Sequence, residues 1–128
     1  MSYRFDHLHI VCRDLEAMID FFTQNFETTL IERKPFGGSP GAVLDLGGTT
    51  VNLRLARESE PLLYDENAKP LGFHHIGIAV DNVDTEYQRL TAKGYHFITL
   101  PTDTPDHRIA FFNGPENLTI EIMSPVDQ

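Results

Sequence analysis

Apolar and polar residues alternate along two stretches of the chain that share one pattern. From Phe73 to Asp81, branched apolar residues alternate with small or polar ones, as is typical of a β-strand. The stretch from Phe5 to Arg13 repeats this pattern near the N-terminus. A shift of 68 positions places His7 on His75 (75 − 7 = 68). The pattern therefore predicts two copies of one structural unit.

Each copy continues with a helix. Helical spacing of apolar residues predicts one helix from Leu15, capped by Asp14, and another from Val83 that ends at Lys93-Gly94. An apolar stripe on each helix is expected to face a sheet. The inward residues of the first helix are Leu15, Met18, Ile19, Phe22 and Phe26, and those of the second are Val83, Tyr87, Leu90 and Thr91.

Three further strands follow each helix. Residues 28–33, 42–46 and 49–55 are predicted strands of the first copy, and Gly47-Gly48 predicts a tight hairpin. The second copy has strands at 96–101, 107–112 and 118–123. The fold class is therefore α+β. A first βαβββ unit is predicted at residues 1–56 and a second at residues 72–128, joined by a polar linker at residues 57–71. The two units are expected to form one compact domain.

Composition and charge narrow the class of partner. The chain has ten basic and nineteen acidic residues and a net charge of −9, which argues against nucleic acid or an anionic membrane as partner. No apolar run is long enough to span a bilayer, and the first residues lack a signal-peptide core. The single cysteine, Cys12, is expected to be a small buried residue. We therefore expect a cytoplasmic protein.

The repeated units and the ending 113–122, Asn-Gly-Pro-Glu-Asn-Leu-Thr-Ile-Glu-Ile, resemble the vicinal oxygen chelate superfamily. This superfamily includes glyoxalase I, extradiol dioxygenases and bleomycin-binding proteins. The resemblance covers the chain from about Phe5 to Pro125. It implies two units that pair into a curved mixed-sheet cup around a divalent metal, and a homodimer that acts on a small molecule. It leaves open whether the units pair within one chain or between two chains.

The same resemblance implies a set of metal ligands. In the family, the ligands come from the first and fourth strands of each unit, which here gives His7, His75 and Glu121. The fourth position carries Asn52, a poor ligand that would contact the metal weakly, hold a water molecule or bind substrate. Two imidazoles and one carboxylate suit a divalent ion such as Zn²⁺, Ni²⁺, Fe²⁺, Mn²⁺ or Co²⁺.

Strand alternation indicates which other side chains share the polar faces. His9 lies on the face of His7, where it would act as acid or base, touch substrate or orient a ligand. Arg54 would hold a substrate carboxylate or phosphate, or form a salt bridge at the sheet rim. His107 is a proton shuttle or a solvated residue, and His74 should point away from His75. Phe111 and Met123 would wall the pocket or simply pack.

The reaction implied by the resemblance is that of a glyoxalase-I-like lyase or isomerase. A base, Glu121 or His9, would move a proton next to a metal-bound carbonyl of a small metabolite or thioester. One alternative is an Fe²⁺ extradiol-type dioxygenase, which three ligands would favour. Another is a non-catalytic protein of the bleomycin-resistance type that binds a small molecule. The substrate and the physiological metal stay open.

Overall fold

The computed structural model describes residues 2–60 and 72–126 and contains two compact units, Met1–Tyr64 and Asp65–Gln128. The boundary between the units falls within the segment 57–71 that the sequence assigns to a linker. The sequence predicts that Glu58, Glu60, Asp65 and Glu66 of this linker form a solvated acidic face. Residues 61–71, which include Asp65 and Glu66, lie outside the described residues.

The first unit consists of one helix and a four-stranded mixed sheet. Its elements are β1 (His7–Cys12), α1 (Leu15–Asn25), β2 (Thr29–Arg33), β3 (Gly41–Leu46) and β4 (Thr49–Leu55). The strand order is β1-β4-β3-β2, in which β1 and β4 are parallel and the other pairs antiparallel. The hairpin between β3 and β4 turns at Gly47 and Gly48, whose φ angles of 60° and 91° confirm the predicted tight turn.

The second unit has the same order of elements. These are β5 (Ile76–Ala79), α2 (Val83–Ala92), β6 (Phe97–Asp103), β7 (His107–Asn113) and β8 (Thr119–Pro125), with a 3₁₀ turn at Pro115–Asn117. The strand order is β5-β8-β7-β6, and β5 is parallel to β8. The predicted α+β class and the repeated βαβββ order are therefore confirmed. Within residues 2–60 and 72–126, no helix is both long and apolar enough to cross a bilayer.

The strand that opens the second unit is shorter than its sequence pattern predicts. Its pairing with β8 runs only from Ile76 opposite Ile120 to Ala79 opposite Met123. The predicted strand began at Phe73, so His74 and His75 lie before the hydrogen-bonded ladder. The alternation rule holds within a ladder, and it does not govern these two histidines.

Each unit buries the apolar face of its sheet beneath its helix. In the first unit, Met18, Ile19 and Phe22 of α1 are buried together with Val51 and Leu53 of β4. In the second, the buried residues include Val83, Leu90, Phe112, Ile120 and Ile122. Cys12 is buried as expected. The expectation for Thr91 was wrong: it is exposed, because a step of about 100° per residue turns it away from Leu90.

The two helices begin with matching caps. The Asp14 carboxylate accepts a 3.0 Å hydrogen bond from the Ala17 backbone N–H, and the Asn82 side chain accepts one of 2.9 Å from that of Thr85. The caps are 68 positions apart (82 − 14 = 68), the same shift that aligns the strands. The repeat therefore extends to the hydrogen bonds that start each helix.

We expect Asp14→Ala and Asn82→Ala each to lower the free energy of unfolding by about 1 kcal/mol, because each leaves a helix N–H without its side-chain acceptor. Denaturant titration followed by circular dichroism measures the change. The matched controls Asp14→Asn and Asn82→Asp keep an acceptor and should retain most of the stability. An alanine variant as stable as the wild type would show that the cap is dispensable.

Candidate functional site

In the second unit, three predicted site residues converge on one face of the sheet. The His75 Nε2 atom lies 3.3 Å from the Glu121 Oε1 atom. The Phe111 ring packs edge-on against the His75 ring, with 5.0 Å between their centroids. Their side chains are partly buried, with 31% of His75 and 17% of Glu121 exposed. A nitrogen donor and an oxygen donor are therefore adjacent and open to solvent.

The pairing of strands explains why these residues meet. Glu121 on β8 lies between Gly77 on β5 and Phe111 on β7 in the register of the sheet. A Cβ atom at Gly77 would lie 3.4 Å from Glu121 Oε1, an ordinary van der Waals contact, so the carboxylate lies directly over this position of β5. His75 precedes Gly77 by two residues, which brings its imidazole to the same carboxylate.

The first unit presents two histidines on its first strand, of which His7 corresponds to His75 of the second unit. His7 and His9 are exposed on β1, where His9 pairs with Asn52 of β4. The His9 ring packs edge-on against Phe36, with 5.0 Å between centroids. Partial burial lowers the pKa of His9, and the charge of Arg54 lowers it further, followed by that of His7. The neutral imidazole is therefore favoured at His9.

Corresponding positions in the two units carry different side chains. His9 corresponds to Gly77 (77 − 9 = 68) and Asn52 to Glu121 (121 − 52 = 69). His9 is the neighbour of Asn52 on parallel strands of the first unit, and Gly77 is the neighbour of Glu121 on parallel strands of the second. Where the first unit has the imidazole of His9, the second has a glycine without a side chain. Where the first has the amide of Asn52, the second has the carboxylate of Glu121.

Asp6 and His74 both contact a predicted ligand, and the sequence reasoning missed both contacts. Asp6 Oδ2 lies 2.8 Å from His7 Nδ1, and His74 Nδ1 lies 2.8 Å from His75 Nδ1. The expectation that His74 points away from His75 was therefore wrong, because both residues precede the ladder of β5. The hydrogen bond with His7 lowers the pKa of Asp6. A usable signal was the shift of 68 positions, which aligns Asp6 with His74.

Arg54 is engaged by a neighbouring carboxylate. Its two terminal nitrogens each donate a 2.6 Å hydrogen bond to Glu60, so the salt bridge that the sequence allowed as an alternative is present. The Arg57 backbone N–H donates to the same carboxylate at 2.7 Å. The sequence predicts a solvated acidic face that includes Glu60, but Glu60 is instead held in this ion pair. A substrate anion would reach Arg54 only by replacing Glu60.

The two remaining predicted residues lie near the β7–β8 pair. His107 begins β7 and alternates onto the face of Phe111, while Met123 on β8 pairs with Ile109. Both are half-buried. Their contact with substrate remains a prediction.

A cavity of about 290 Å³ lies beside the start of α2, and its lining residues do not include His75 or Glu121. Arg108 in its wall donates to Asp84 at 2.7 Å and to Asp103 at 2.9 Å. These hydrogen bonds raise the pKa of Arg108. Two ion pairs of Arg108 therefore line this cavity. The His75–Glu121 pair lies outside it.

The separation of the His75–Glu121 pair is that of an imidazole–carboxylate ion pair and is also compatible with a shared divalent metal, although no three His, Cys, Asp or Glu side chains within residues 2–60 and 72–126 are grouped closely enough to hold one. Two ligands about 2.1 Å from a tetrahedral ion lie about 3.4 Å apart. His75 Nε2 and Glu121 Oε1, at 3.3 Å, have nearly this separation. The structure therefore brings together two of the three predicted ligands, and the participation of His7 remains a prediction.

Comparison with protein families gives the class of the protein. Residues 4–122 match the family model described as the Glyoxalase/Bleomycin resistance protein/Dioxygenase superfamily. The chain therefore belongs to this superfamily, which confirms the resemblance drawn from its sequence.

Three individual proteins that resemble the chain each share less than a third of its residues. The chain is 28% identical over 147 residues to a lactoylglutathione lyase of Schizosaccharomyces pombe, covering 96% of this chain and 48% of that protein. It thus spans about half the length of this relative. A glyoxylase/bleomycin resistance protein/dioxygenase domain from Frankia sp. EAN1pec has a TM-score of 0.79 at 23% identity, covering 98% of this chain and 100% of the other.

A second solved structure contains a metal. It is a variant of the fosfomycin resistance protein FosX from Listeria monocytogenes, complexed with Mn(II) and 1S,2S-dihydroxypropylphosphonic acid. The TM-score is 0.75 at 17% identity, covering 98% of this chain and 95% of the other. At this identity the likeness shows a common fold.

The Glu60 ion pair generates a prediction about pH. The hydrogen bonds from Arg54, and next from the Arg57 backbone, lower the pKa of Glu60 from 4.5 to about 2. A carboxyl whose pKa is lowered by folding stabilises the protein above its unfolded-state pKa, and this contribution is lost as pH falls. We expect wild type to be more stable than Glu60→Gln at pH 6, and the difference to shrink between pH 4.5 and pH 2.

Urea unfolding at several pH values measures this difference. The control is the same substitution in an Arg54→Gln background, where the pH-dependent part should be smaller because its largest cause is absent. A difference that stays constant from pH 6 to pH 2 would contradict the assignment.

Proposed function

We propose that the chain is a divalent-metal-dependent lyase or isomerase of the glyoxalase I type. It would transfer a proton next to a carbonyl of a small metabolite or thioester. The observation that carries the proposal is the convergence of His75 Nε2 and Glu121 Oε1 at 3.3 Å. Membership of the superfamily and the distant likeness to a lactoylglutathione lyase support this class of chemistry.

The proposed ligands are His7, His75 and Glu121. His75 and Glu121 have the separation expected of two ligands of one ion. We infer that His7 supplies the third ligand, from the same chain or from a second copy in a homodimer. Asp6 engages its Nδ1 atom, so Nε2 is the ring nitrogen whose lone pair would bind the metal. Zn²⁺, Ni²⁺, Mn²⁺, Fe²⁺ and Co²⁺ all accept such a donor set.

The chemistry requires an acid and a base as well as a cation. A bound divalent ion acts as a Lewis acid that stabilises negative charge on a substrate oxygen. Glu121 can accept and return a proton because its carboxylate is partly exposed and faces the same space as His75. His9 is the alternative base, since its exposed imidazole shares the face of His7. Asn52 beside His9, together with Phe111, His107 and Met123, would contact substrate.

A second candidate is an Fe²⁺ dioxygenase. The observation in its favour is Asn52, because an amide at the fourth position leaves only three strong donors and so more open positions for substrate and O₂. The third possibility is binding without catalysis, and the adjacent carboxylate and imidazole of Glu121 and His75, 3.3 Å apart, favour catalysis over it. These candidates differ in what the metal-loaded protein does to substrate.

We expect Glu121→Ala to fold normally and to lose more than about 100-fold in affinity for Zn²⁺ or Ni²⁺, because even outer partners of a ligand are worth 10–100-fold. Isothermal titration of the chelator-treated protein measures affinity, and circular dichroism checks the fold. The control Glu58→Gln alters an exposed carboxylate and should bind like wild type. Full metal occupancy in Glu121→Ala would refute the ligand assignment.

Three assays on the metal-loaded protein separate the candidate functions. Conversion of the methylglyoxal–glutathione hemithioacetal, or solvent deuterium exchange into an acyl-CoA, supports proton transfer, and Glu121→Gln should abolish it. Oxygen uptake with catechols under Fe²⁺ indicates the dioxygenase instead. A protein that binds metal yet is inactive in all three assays contradicts the proposed lyase or isomerase.

A further inference from the structure

The residue immediately before each histidine ligand makes the same contact in both units. Asp6 Oδ2 lies 2.8 Å from His7 Nδ1, and His74 Nδ1 lies 2.8 Å from His75 Nδ1. Asp6 and His74 are also related by the repeat (74 − 6 = 68). The same ring atom is therefore engaged in both units, by side chains of different chemistry.

These contacts determine which ring nitrogen is free. A carboxylate only accepts hydrogen bonds, so His7 Nδ1 must carry the proton, and Nε2 then holds the lone pair of the neutral ring. In the second unit, His75 Nε2 faces Glu121 Oε1 at 3.3 Å. If Nε2 of the neutral His75 ring is to bind a cation, the ring proton must lie on His75 Nδ1. His74 Nδ1 must then accept a hydrogen bond from that N–H group.

We propose that Asp6 and His74 are positioning residues that hold His7 and His75 by Nδ1 and present Nε2 of each ring to the metal. This inference rests on the proposed function. Ligating histidines commonly donate their other ring nitrogen to a nearby acceptor, which fixes the tautomer and the ring orientation. Asp6 does so with a charged acceptor and His74 with a neutral one, and because charge-assisted hydrogen bonds are stronger, Asp6 should hold its partner ring more firmly.

The two positioning residues make separate local contacts. The His74 and His75 rings meet edge-on, with 5.1 Å between centroids, and Phe111 contacts His75 from a second direction at 5.0 Å. The His75 ring is thus oriented by an imidazole, a phenyl ring and the Glu121 carboxylate. Asp6 and His74 are themselves exposed, so substitution there removes little packing beyond the contact with the neighbouring histidine. Changes in metal binding will therefore reflect the loss of that contact.

The test measures Zn²⁺ affinity and ring tautomers in the full chain. Asp6→Ala and His74→Ala should each weaken Zn²⁺ binding about 10- to 100-fold. Asp6→Asn and His74→Asn, which keep an acceptor, should recover most of the affinity. The matched controls are Asp20→Ala and His96→Ala, which remove an exposed carboxylate and an exposed imidazole and should bind like wild type. Circular dichroism confirms that every variant is folded.

A spectroscopic measurement distinguishes positioning from a general structural effect. Long-range ¹H–¹⁵N spectra of ¹⁵N-histidine-labelled, Zn²⁺-loaded protein should show His7 and His75 bound through Nε2, with Nδ1 protonated. Binding through Nδ1, or alanine variants with wild-type affinity, would overturn the positioning roles alone. If the wild type binds none of Zn²⁺, Ni²⁺ or Mn²⁺, the proposed function fails, and this inference fails with it.

Discussion

The parallel pairing of the first and last strands in each unit is the constraint on which the candidate site depends. This pairing places β1 beside β4 and β5 beside β8, although more than 35 residues separate the strands of each pair. Because paired residues on neighbouring strands share a face, side chains distant in sequence become neighbours. Glu121 lies beside Gly77 for this reason, and Asn52 lies beside His9. His75, just before the ladder of β5, meets Glu121 from the end of the strand. Buried Ile120 and Ile122 on the opposite face hold Glu121 outward.

The repeat provides one scaffold with two different sets of donors. Cores and caps correspond closely, as with Phe22 and Leu90 in the helices, both fully buried and 68 positions apart. The polar faces do not correspond. The carboxylate and the adjacent glycine occur only in the second unit, while the first has His9 and Asn52 at the same positions. Conserved burial and divergent polar faces are what duplication of a unit followed by specialisation of its site would produce.

Much of the fold could be predicted from periodicity, because strands such as β4, β7 and β8 each have one buried face and each helix has one buried stripe. On β4, for example, Val51 and Leu53 are buried and Asn52 between them is not, as strand alternation predicts. Prediction failed where that rule does not operate. His74 and His75 precede the ladder, so neither their facing nor their hydrogen bond followed from alternation. The pairing of Arg54 with Glu60 depends on a turn after β4 that no periodic signal describes.

The central claim is that His75 and Glu121 bind one divalent cation. Anomalous X-ray diffraction from crystals soaked in Zn²⁺ or Mn²⁺ tests this claim most directly. We expect a single strong peak about 2.0–2.2 Å from both His75 Nε2 and Glu121 Oε1, with a further imidazole in the coordination sphere. A well-occupied peak that contacts neither residue, or the absence of any peak at saturating metal, would contradict the account.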